Sequence, residues 1–436
     1  MIAVGLDIGT TTVSAVVVNC DKKKIEKSYT IPNNSFIKTK EEWEKIQDPE
    51  CIFQIVKKVL ENICKEKKID FIGVTGQMHG IVYVDKNGNH VSPLYTWQDE
   101  RGNQLLEDGY TVVDTIKRKH DVQVFSGYGL VTHYYNMMRG LLPQGAVKIC
   151  TIMDYIIMRL TGKKEPVVHI SNAASMGFFS AEKLCFDLEK IEEAGIDRNI
   201  LPAVIKEECV LGHWENIPVY AAIGDNQASF CGSIVDDSKE VLLNVGTGSQ
   251  ISVCSKHYFE SKNIECRPYT CDKYLLVGAA LCGGRAYAIL MQFFKSYTEA
   301  LDIYGIDHYA IMEKLAKEGT EDKPLTVDTR FLGTRLNPDI SGKIENIRED
   351  NFKPGVLIKG VLNGMTEELL EYYKILQSHS KGTKLVIAGN GIRKNKTLQR
   401  IVAAKFEMPI QIVANQEEAA CGVIQFIYDE IWGNKK

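Results

Sequence analysis

In "GLDIGTTTVSAVVV" (residues 5–18) an apolar run is broken by Asp7, Gly9 and the hydroxyls of Thr10, Thr11 and Thr12, and then resumes. A glycine turn lets backbone N–H groups converge, and threonine hydroxyls add donors, so such a turn can wrap phosphate oxygens. "VLLNVGTGSQISVCS" (241–255) has the same layout: an apolar strand, Asn244, the turn Gly246-Thr247-Gly248-Ser249, and a second apolar strand. Asp7-x-Gly9-Thr10 aligns with Asn244-x-Gly246-Thr247 without gaps, one copy in each half of the chain. Two such turns facing each other would hold a polyphosphate from both sides. Asp7 beside the phosphates would repel them unless a cation intervened, which points to Mg²⁺ held partly through water. The alternative is two structural hairpins with Asx-type side-chain caps.

Three further stretches carry reactive residue types. "AAIGDNQASF" (221–230) ends an apolar strand at Gly224 and exposes Asp225 and Asn226 before a small-residue helix start. A carboxylate at the carboxyl end of a strand can accept the proton of a substrate hydroxyl; it can equally cap the helix that follows. "LVIAGNGIRKN" (385–395) is a buried strand followed by Gly389-Asn390-Gly391, a turn that permits close backbone approach to a ligand. It is neither a dinucleotide fingerprint nor a Walker A sequence. "VTGQMHG" (74–80), "TWQDERG" (96–102) and "SGYGLVTH" (126–133) combine Gln77, Met78, His79, Asp99, Arg101, Tyr128 and Thr132 with glycines and aromatics. Such residues suit a polyol, whose hydroxyls need paired donors and acceptors beside flat apolar faces. A structural histidine at His79 and a core tryptophan at Trp97 are the bland readings.

These residues must be positioned by strands and helices in alternation. "EEWEKIQDPECIFQIVKKVLENICKEKK" places Ile52, Ile55, Val56, Val59, Leu60 and Ile63 at helical spacing, "IDFIGVTG" (69–76) is a short buried strand, and Asn87-Gly88 marks a hairpin over 80–91. The class is therefore α/β. A chain of 436 residues is too long for one ordinary core, and the boundary falls between about 215 and 240. Hydrophobic residues make up 44% and charged residues 25%, with a formal charge of −4, which gives no reason to expect nucleic acid or an anionic membrane as partner. No apolar stretch approaches the ~20 residues of a membrane span, and the N-terminus lacks the basic start of a signal peptide. Twelve cysteines without a CxxC pair or a metal spacing read as reduced thiols in a cytosolic protein.

Taken together and in order, "DIGTTTVS", "GQMHG", "WQDER", "IGDNQA", "NVGTGSQ" and "AGNGIRKN", spread between residue 2 and about 425, resemble the FGGY family of carbohydrate kinases, members of the actin-like ATPase superfamily. The resemblance implies two ribonuclease-H-like domains with a nucleotide cleft between them. Residues 1–224 would bind sugar and carry the first phosphate loop; residues 225–436 would bind nucleotide. It implies transfer of the ATP γ-phosphate, with Mg²⁺, to the terminal hydroxyl of a sugar, without nucleic acid or membrane; a homodimer stays open. Further stretches, "TIMDYIIMRLTG" (151–162) and "ISNAASMGFF" (170–179), resemble a ketose-specific branch. Position by position, Asp225 matches the family's catalytic base, with Asn226 beside it. Met78 and His79 match its sugar-contacting pair, with Gln77 and Asp99 in the same motifs, and Tyr128 and Thr132 fall in a pocket-lining segment. Asp7, Gly9, Thr10 and Thr11 match the first phosphate loop, with Asp7 on the metal side, and Gly246 and Thr247 match the second. Gly283 and Gly284 of "LCGGRAY", with Gly389, Asn390 and Asn395, match the adenosine side. The family's usual Gly-Gly is Gly389-Asn390 here. Two other classes stay open: an ATPase of the same superfamily without a sugar substrate, and a sugar-responsive regulator.

Overall fold

The computed structural model describes residues 1–318, 322–334, 337, 339–413 and 417–432. The chain forms a two-domain α/β fold of two compact units: unit 1 is Met1–Gly232 with Arg267–Lys273 and Glu417–Lys436, and unit 2 is Ser233–Cys266 with Tyr274–Gln416.

Unit 1 is built on a six-stranded mixed sheet. Its strands are β1 (Ile2–Ile8), β2 (Thr12–Asn19), β3 (Lys24–Pro32), β4 (Phe71–Gly76), β5 (Val210–Trp214) and β6 (Ile217–Tyr220), in the order β5-β6-β4-β1-β2-β3. β1, β2 and β3 run antiparallel in turn, whereas β1, β4 and β6 are parallel. Both faces of the parallel strands are covered, which is why β1 and β4 read as nearly unbroken apolar runs rather than alternating ones. Helix α1 (Pro49–Glu66) buries Ile52, Val56, Leu60 and Ile63; Asp48 caps it by accepting from the amides of Glu50 and Cys51, and Pro49 supplies the fixed first φ. Each such side chain contributes ~1.5–3 kcal/mol when fully buried. Helices α2 (Gly129–Met138) and α3 (Ile152–Thr161) follow, α3 opened by a capping box of Thr151 and Asp154. Helix α4 (Asp225–Ser233) closes the first pass.

Unit 2 repeats the strand plan. β7 (Glu240–Val245), β8 (Ser249–Ser255), β9 (Glu265–Thr270, of which Arg267–Thr270 are counted in unit 1), β10 (Lys273–Ala280), β11 (Lys384–Ala388) and β12 (Ile410–Ile412) lie in the order β9-β10-β8-β7-β11-β12. β7, β8 and β10 are antiparallel, and β7, β11 and β12 parallel. The first strand of each unit thus turns back through a Gly-Thr hairpin and pairs in parallel on its other side. Helices α5 (Gly283–Glu299), α6 (Pro354–Leu376) and α7 (Lys396–Phe406) belong to this unit.

The chain then returns to unit 1 as α8 (Glu418–Trp432). A Cβ on Gly5 of β1 would lie 1.9 Å from the Ala420 carbonyl oxygen, so α8 packs against β1 at backbone contact. A single cut at 224/225, the division expected from sequence, places α4, Arg267–Lys273 and α8 with the second half; by packing they lie in unit 1. Among the described residues no helix is long and apolar enough to cross a membrane.

Candidate active site

The carboxyl ends of neighbouring strands in unit 1 bring two carboxylates to one edge. Asp7, one residue before the end of β1, lies opposite Thr75 of β4, and the Thr75 hydroxyl donates to the Ile223 carbonyl at 2.8 Å, two residues before Asp225. Helix α4 begins at Asp225 itself, whose carboxylate accepts the Asn226 N–H. Both carboxylates keep accessible surface while lying deep enough for lost hydration to dominate their chemistry. Burial pushes Asp7 up to about 7, and the charges of Asp225 and Glu417 push the same way. Burial pushes Asp225 up to about 6, against the opposing pull of the Arg267 guanidinium and the Asn226 N–H. A carboxylate poised near neutrality can accept a proton at physiological pH.

Beside these carboxylates stands an aromatic platform. His79 adopts φ +73°, and the Gly80 N–H donates to the Met78 carbonyl at 2.9 Å, closing a γ-turn of the rare positive-φ kind. Backbone of this sort costs ~1–3 kcal/mol and persists where the surroundings enforce it. Enforcement comes from Ser175, whose hydroxyl accepts the His79 N–H at 3.1 Å, while the Ser175 carbonyl pairs with His79 Nδ1 at 2.9 Å. A carbonyl only accepts, so Nδ1 is the donor in this bond. The ring stacks on Tyr128 at 4.7 Å between centroids and 9° between planes. Met78 is buried, with its thioether against Gly224. The platform offers a flat apolar face suited to a polyhydroxylated ligand.

The first glycine turn is pinned by its carbonyls. Asn33 Nδ2 donates to the Gly9 carbonyl, Gln47 Nε2 to that of Thr10, and the Asn33 N–H to that of Thr11, each at 2.8 Å. With those acceptors tied to the scaffold, the turn is left with a donor-rich outer side, to which exposed Thr11 adds a hydroxyl. Donors are what an anion requires. The Thr10 hydroxyl is internally engaged, donating to Gln77 Oε1 at 3.3 Å and accepting from the Trp97 ring N–H at 2.9 Å.

In unit 2 the turn is pinned in the same manner by different parts. At the start of α5 the Gly284 N–H donates to the Gly246 carbonyl at 3.0 Å and the Arg285 N–H to that of Thr247 at 2.9 Å. The approach is so close that a Cβ on Gly283 would lie 2.4 Å from the Gly248 carbonyl carbon. Gly389 takes φ +86° between β11 and the short helix Asn390–Arg393, where a Cβ would meet the Asn244 side-chain oxygen at 2.4 Å. Gly246, Thr247, Gly283, Gly284 and Gly389 therefore gather around the end of β7.

Several candidate residues have internal duties instead. Gln77 is buried, with Oε1 on Thr10 and Nε2 on Gln47 at 2.9 Å, so it braces the first turn. Asp99 is buried, ion-paired to Arg101, and accepts the Lys45 N–H at 3.0 Å; Arg101 also holds Glu44 at 2.7 Å. Thr132 is buried within α2. Asn395 caps α7, its side-chain oxygen accepting the Leu398 N–H at 2.8 Å. Exposed Asn390 has no need of glycine freedom, because the positive φ falls on Gly389 alone. Trp97, for which a core position is the bland reading from sequence, is 47% exposed with its ring N–H on Thr10. Arg267, Glu417, Ser175, Asn33 and Gln47 escape sequence reasoning. Ser175 and Gln47 lie in stretches quoted above, but no residue type or spacing singles out any of the five, and only folding brings them to Asp225, Asp7, His79 and the first turn.

Residues 2–232 match the N-terminal domain, and residues 241–426 the C-terminal domain, of the FGGY family of carbohydrate kinases. The chain belongs to this family and is an ATP-dependent sugar kinase, a phosphotransferase. It is 24% identical to sedoheptulokinase of Mus musculus, covering 94% of each chain, and 26% identical to xylulose kinase of Staphylococcus xylosus, covering 96% of this chain and 89% of that one. Its fold matches the crystal structure of gluconate kinase from Lactobacillus acidophilus with a TM-score of 0.83 at 19% identity, over 100% of this chain and 90% of the other.

Proposed function

We propose that this enzyme phosphorylates the terminal hydroxyl of a ketose, sedoheptulose giving sedoheptulose 7-phosphate, with xylulose or another ketose or polyol as the alternative acceptor. The observation that carries the reading is Asp225, a carboxylate poised near neutrality at the head of α4, in the same unit as the His79–Tyr128 platform. The similarity to sedoheptulokinase along nearly the whole chain supports the choice of sugar. In this reading Met78, His79, Tyr128 and Asn226 bind the sugar. Asp225 takes the proton of the attacking hydroxyl. Gln77, Asp99 and Thr132 hold the walls in place. Gly9, Thr10 and Thr11 in residues 1–224 meet the phosphates. Gly246, Thr247, Gly283, Gly284, Gly389 and Asn390 in residues 225–436 hold the nucleotide, and Asn395 fixes the start of α7. We place the enzyme in the cytoplasm, a compartment that its twelve free cysteines suit.

The charge at Asp7 suits a divalent cation, since burial and two neighbouring carboxylates disfavour its anion. Among the described residues no three His, Cys, Asp or Glu side chains are placed to grip an ion directly. Asp7 would therefore hold Mg²⁺ through water and phosphate oxygens, as this ion commonly binds. When bound, Mg²⁺ neutralises phosphoryl charge; the protein's share is positioning, exclusion of water and acceptance of the proton.

A kcat/KM panel over sedoheptulose, xylulose, ribulose, glycerol and gluconate, read as sugar phosphate formed, tests the acceptor. Sedoheptulose is expected to lead by at least about tenfold, because polar groups matched to its extra hydroxyls are left unpaired by shorter sugars. A lead for xylulose moves the assignment to the alternative, and a lead for gluconate removes the ketose reading. The pH profile tests the base. Asp225 works unprotonated, and burial raises its value from the ordinary 3.8 to about 6. The sign follows: kcat/KM rises tenfold per pH unit below about 6 and levels off above it. A profile already flat at pH 5 removes Asp225 from the role.

A further inference from the structure

Gly224 stands immediately before α4, and its carbonyl accepts the first helical bond, from the Ala228 N–H at 2.9 Å. A glycine in that place has no side chain with which to cap the helix, and its own buried N–H needs an acceptor from elsewhere. Gln227 occupies the position from which a side chain commonly reaches back to that N–H. Its amide is held elsewhere, Nε2 donating to the Pro268 carbonyl at 2.9 Å and to the Ser171 carbonyl at 3.3 Å. The Gly224 N–H goes instead to the Ser171 hydroxyl, at 3.2 Å. Ser171 is buried in the short helix Ile170–Ala173, with its hydroxyl 2.8 Å from His169 Nδ1. The Ser171 N–H also donates to that nitrogen, at 3.3 Å, so Nδ1 is an acceptor and the hydroxyl gives it its proton. Burial lowers His169 to about 4, which keeps the ring neutral and the lone pair available. Both capacities of the Ser171 hydroxyl are therefore committed: its proton to His169, its lone pair to Gly224.

The same stretch of chain holds the platform. Ser175, just beyond the short helix, accepts the His79 N–H on its hydroxyl and offers its carbonyl to His79 Nδ1. The Ser175 hydroxyl donates in turn to the Asn172 carbonyl at 2.7 Å, which ties the two serines into one connected turn. We propose that Ser171 is a positioning residue for the transfer step: through the Gly224 amide it fixes the head of α4, and with it Asp225, at a set place relative to the His79–Tyr128 platform. The inference rests on the proposed function, with Asp225 as the base. Thr75 already holds the Ile223 carbonyl and Gln227 holds the helix beyond, so the bond from Gly224 to Ser171 is the tie nearest to Asp225 on the side where the chain enters α4. A buried donor deprived of its acceptor is costly, so loss of the hydroxyl drives the Gly224 amide to shift toward another partner, and Asp225 moves with it.

The test is a set of steady-state measurements on the full-length enzyme. S171A removes the hydroxyl and keeps the backbone carbonyl that Gln227 uses. It is expected to lower kcat by about 10–100-fold, the loss that follows displacement of a catalytic group by about 1 Å, with the KM for ATP within about twofold. S171C keeps the size of the side chain and only a weak donor and acceptor, and is expected to fall between S171A and wild type. In the Asp225→Asn background neither substitution lowers the residual rate further, since a residue acting through Asp225 has nothing left to place. An S171A enzyme with wild-type kcat, or one whose loss is equally large in the Asp225→Asn background, overturns the proposal. If S171A does not fold, S171C decides by the same comparison: a loss confined to the Asp225 enzyme supports the role, and no loss or an equal loss in both backgrounds sinks it. The two failures are distinguishable. Full activity in Asp225→Asn ends the base assignment and the inference with it, whereas wild-type kcat in S171A beside an inactive Asp225→Asn ends the inference alone.

Discussion

Replacing Asp225 with asparagine is expected to lower kcat by at least ~10²-fold, the lower bound for removing a positioned general base, while the KM values for sugar and ATP stay within a few-fold. Asparagine is nearly isosteric and keeps a side-chain oxygen to accept the Asn226 N–H, so the start of α4 is preserved. What it loses is the capacity to take a proton. The substitution also removes a negative charge that acts on Asp7. The native fold disfavours the Asp225 anion, since burial raises its value above that of an exposed carboxylate. A stability contribution of this sign is present below the unfolded value and is lost as pH rises through about 6. At pH 7.5 the neutral variant is therefore expected to melt no lower than wild type. Steady-state kinetics beside a melting curve read both outcomes. Wild-type turnover would end the base assignment, and a large fall in melting temperature would make the kinetic loss structural.

How much of this was legible in the sequence depends on whether the relevant partner is local. The two glycine-threonine turns are local features, and the pattern around Asp7 and Asn244 leads directly to β1–β2 and β7–β8. Helix α1 was legible for the same reason, from its apolar spacing, though Asp48 and Pro49 set its start several residues inside the helical-looking stretch. The hairpin around Asn87-Gly88 was legible as well. The turn forms, with the Gly88 N–H on the Asp85 carbonyl at 3.0 Å, Val84 bridges antiparallel to His90, and the Val91 N–H donates to the Tyr83 carbonyl at 2.9 Å; what stayed hidden is that Val82–Val84 also pairs with Lys148–Cys150.

Side-chain duty was much less legible. Asp99 and Gln77 have the right chemistry for a sugar pocket, yet one is held by Arg101 and the other braces Thr10 through a chain that includes Gln47. Residue type and spacing identify a possible donor or acceptor; they do not say which neighbour already occupies it. Arg267 is the reverse case. In "ECRPYTC" it looks like an ordinary strand arginine, and its link to Asp225 appears only when the segment folds onto α4. The positive φ of His79 was equally hidden, because a γ-turn enforced by Ser175 is a consequence of contact across 96 residues.

In unit 2, Gly284→Ala is expected to raise the KM for ATP by about 10–100-fold, since a catalytic or binding element displaced by about 1 Å loses activity on that scale. The Gly284 N–H donates to the Gly246 carbonyl at 3.0 Å, and a Cβ at this position would stand 2.3 Å from that same oxygen. The start of α5 must therefore retreat from the turn, and the neighbouring bond from the Arg285 N–H to the Thr247 carbonyl stretches with it. Overpacking of this sort costs ~1–3 kcal/mol, so the melting temperature falls as well. The His79–Tyr128 platform is made from unit 1 residues, and sugar binding read by tryptophan fluorescence is expected to be unchanged. Gly246→Ala is the contrasting case. There the nearest atom to an added Cβ lies 4.0 Å away, so the methyl fits the protein and the melting temperature holds. An increase in the KM for ATP without loss of stability would then report crowding of the nucleotide itself, because among the described residues nothing lies closer to the methyl than 4.0 Å. Wild-type ATP kinetics in both variants would dissociate this turn from the nucleotide and leave its bonds to α5 as packing alone.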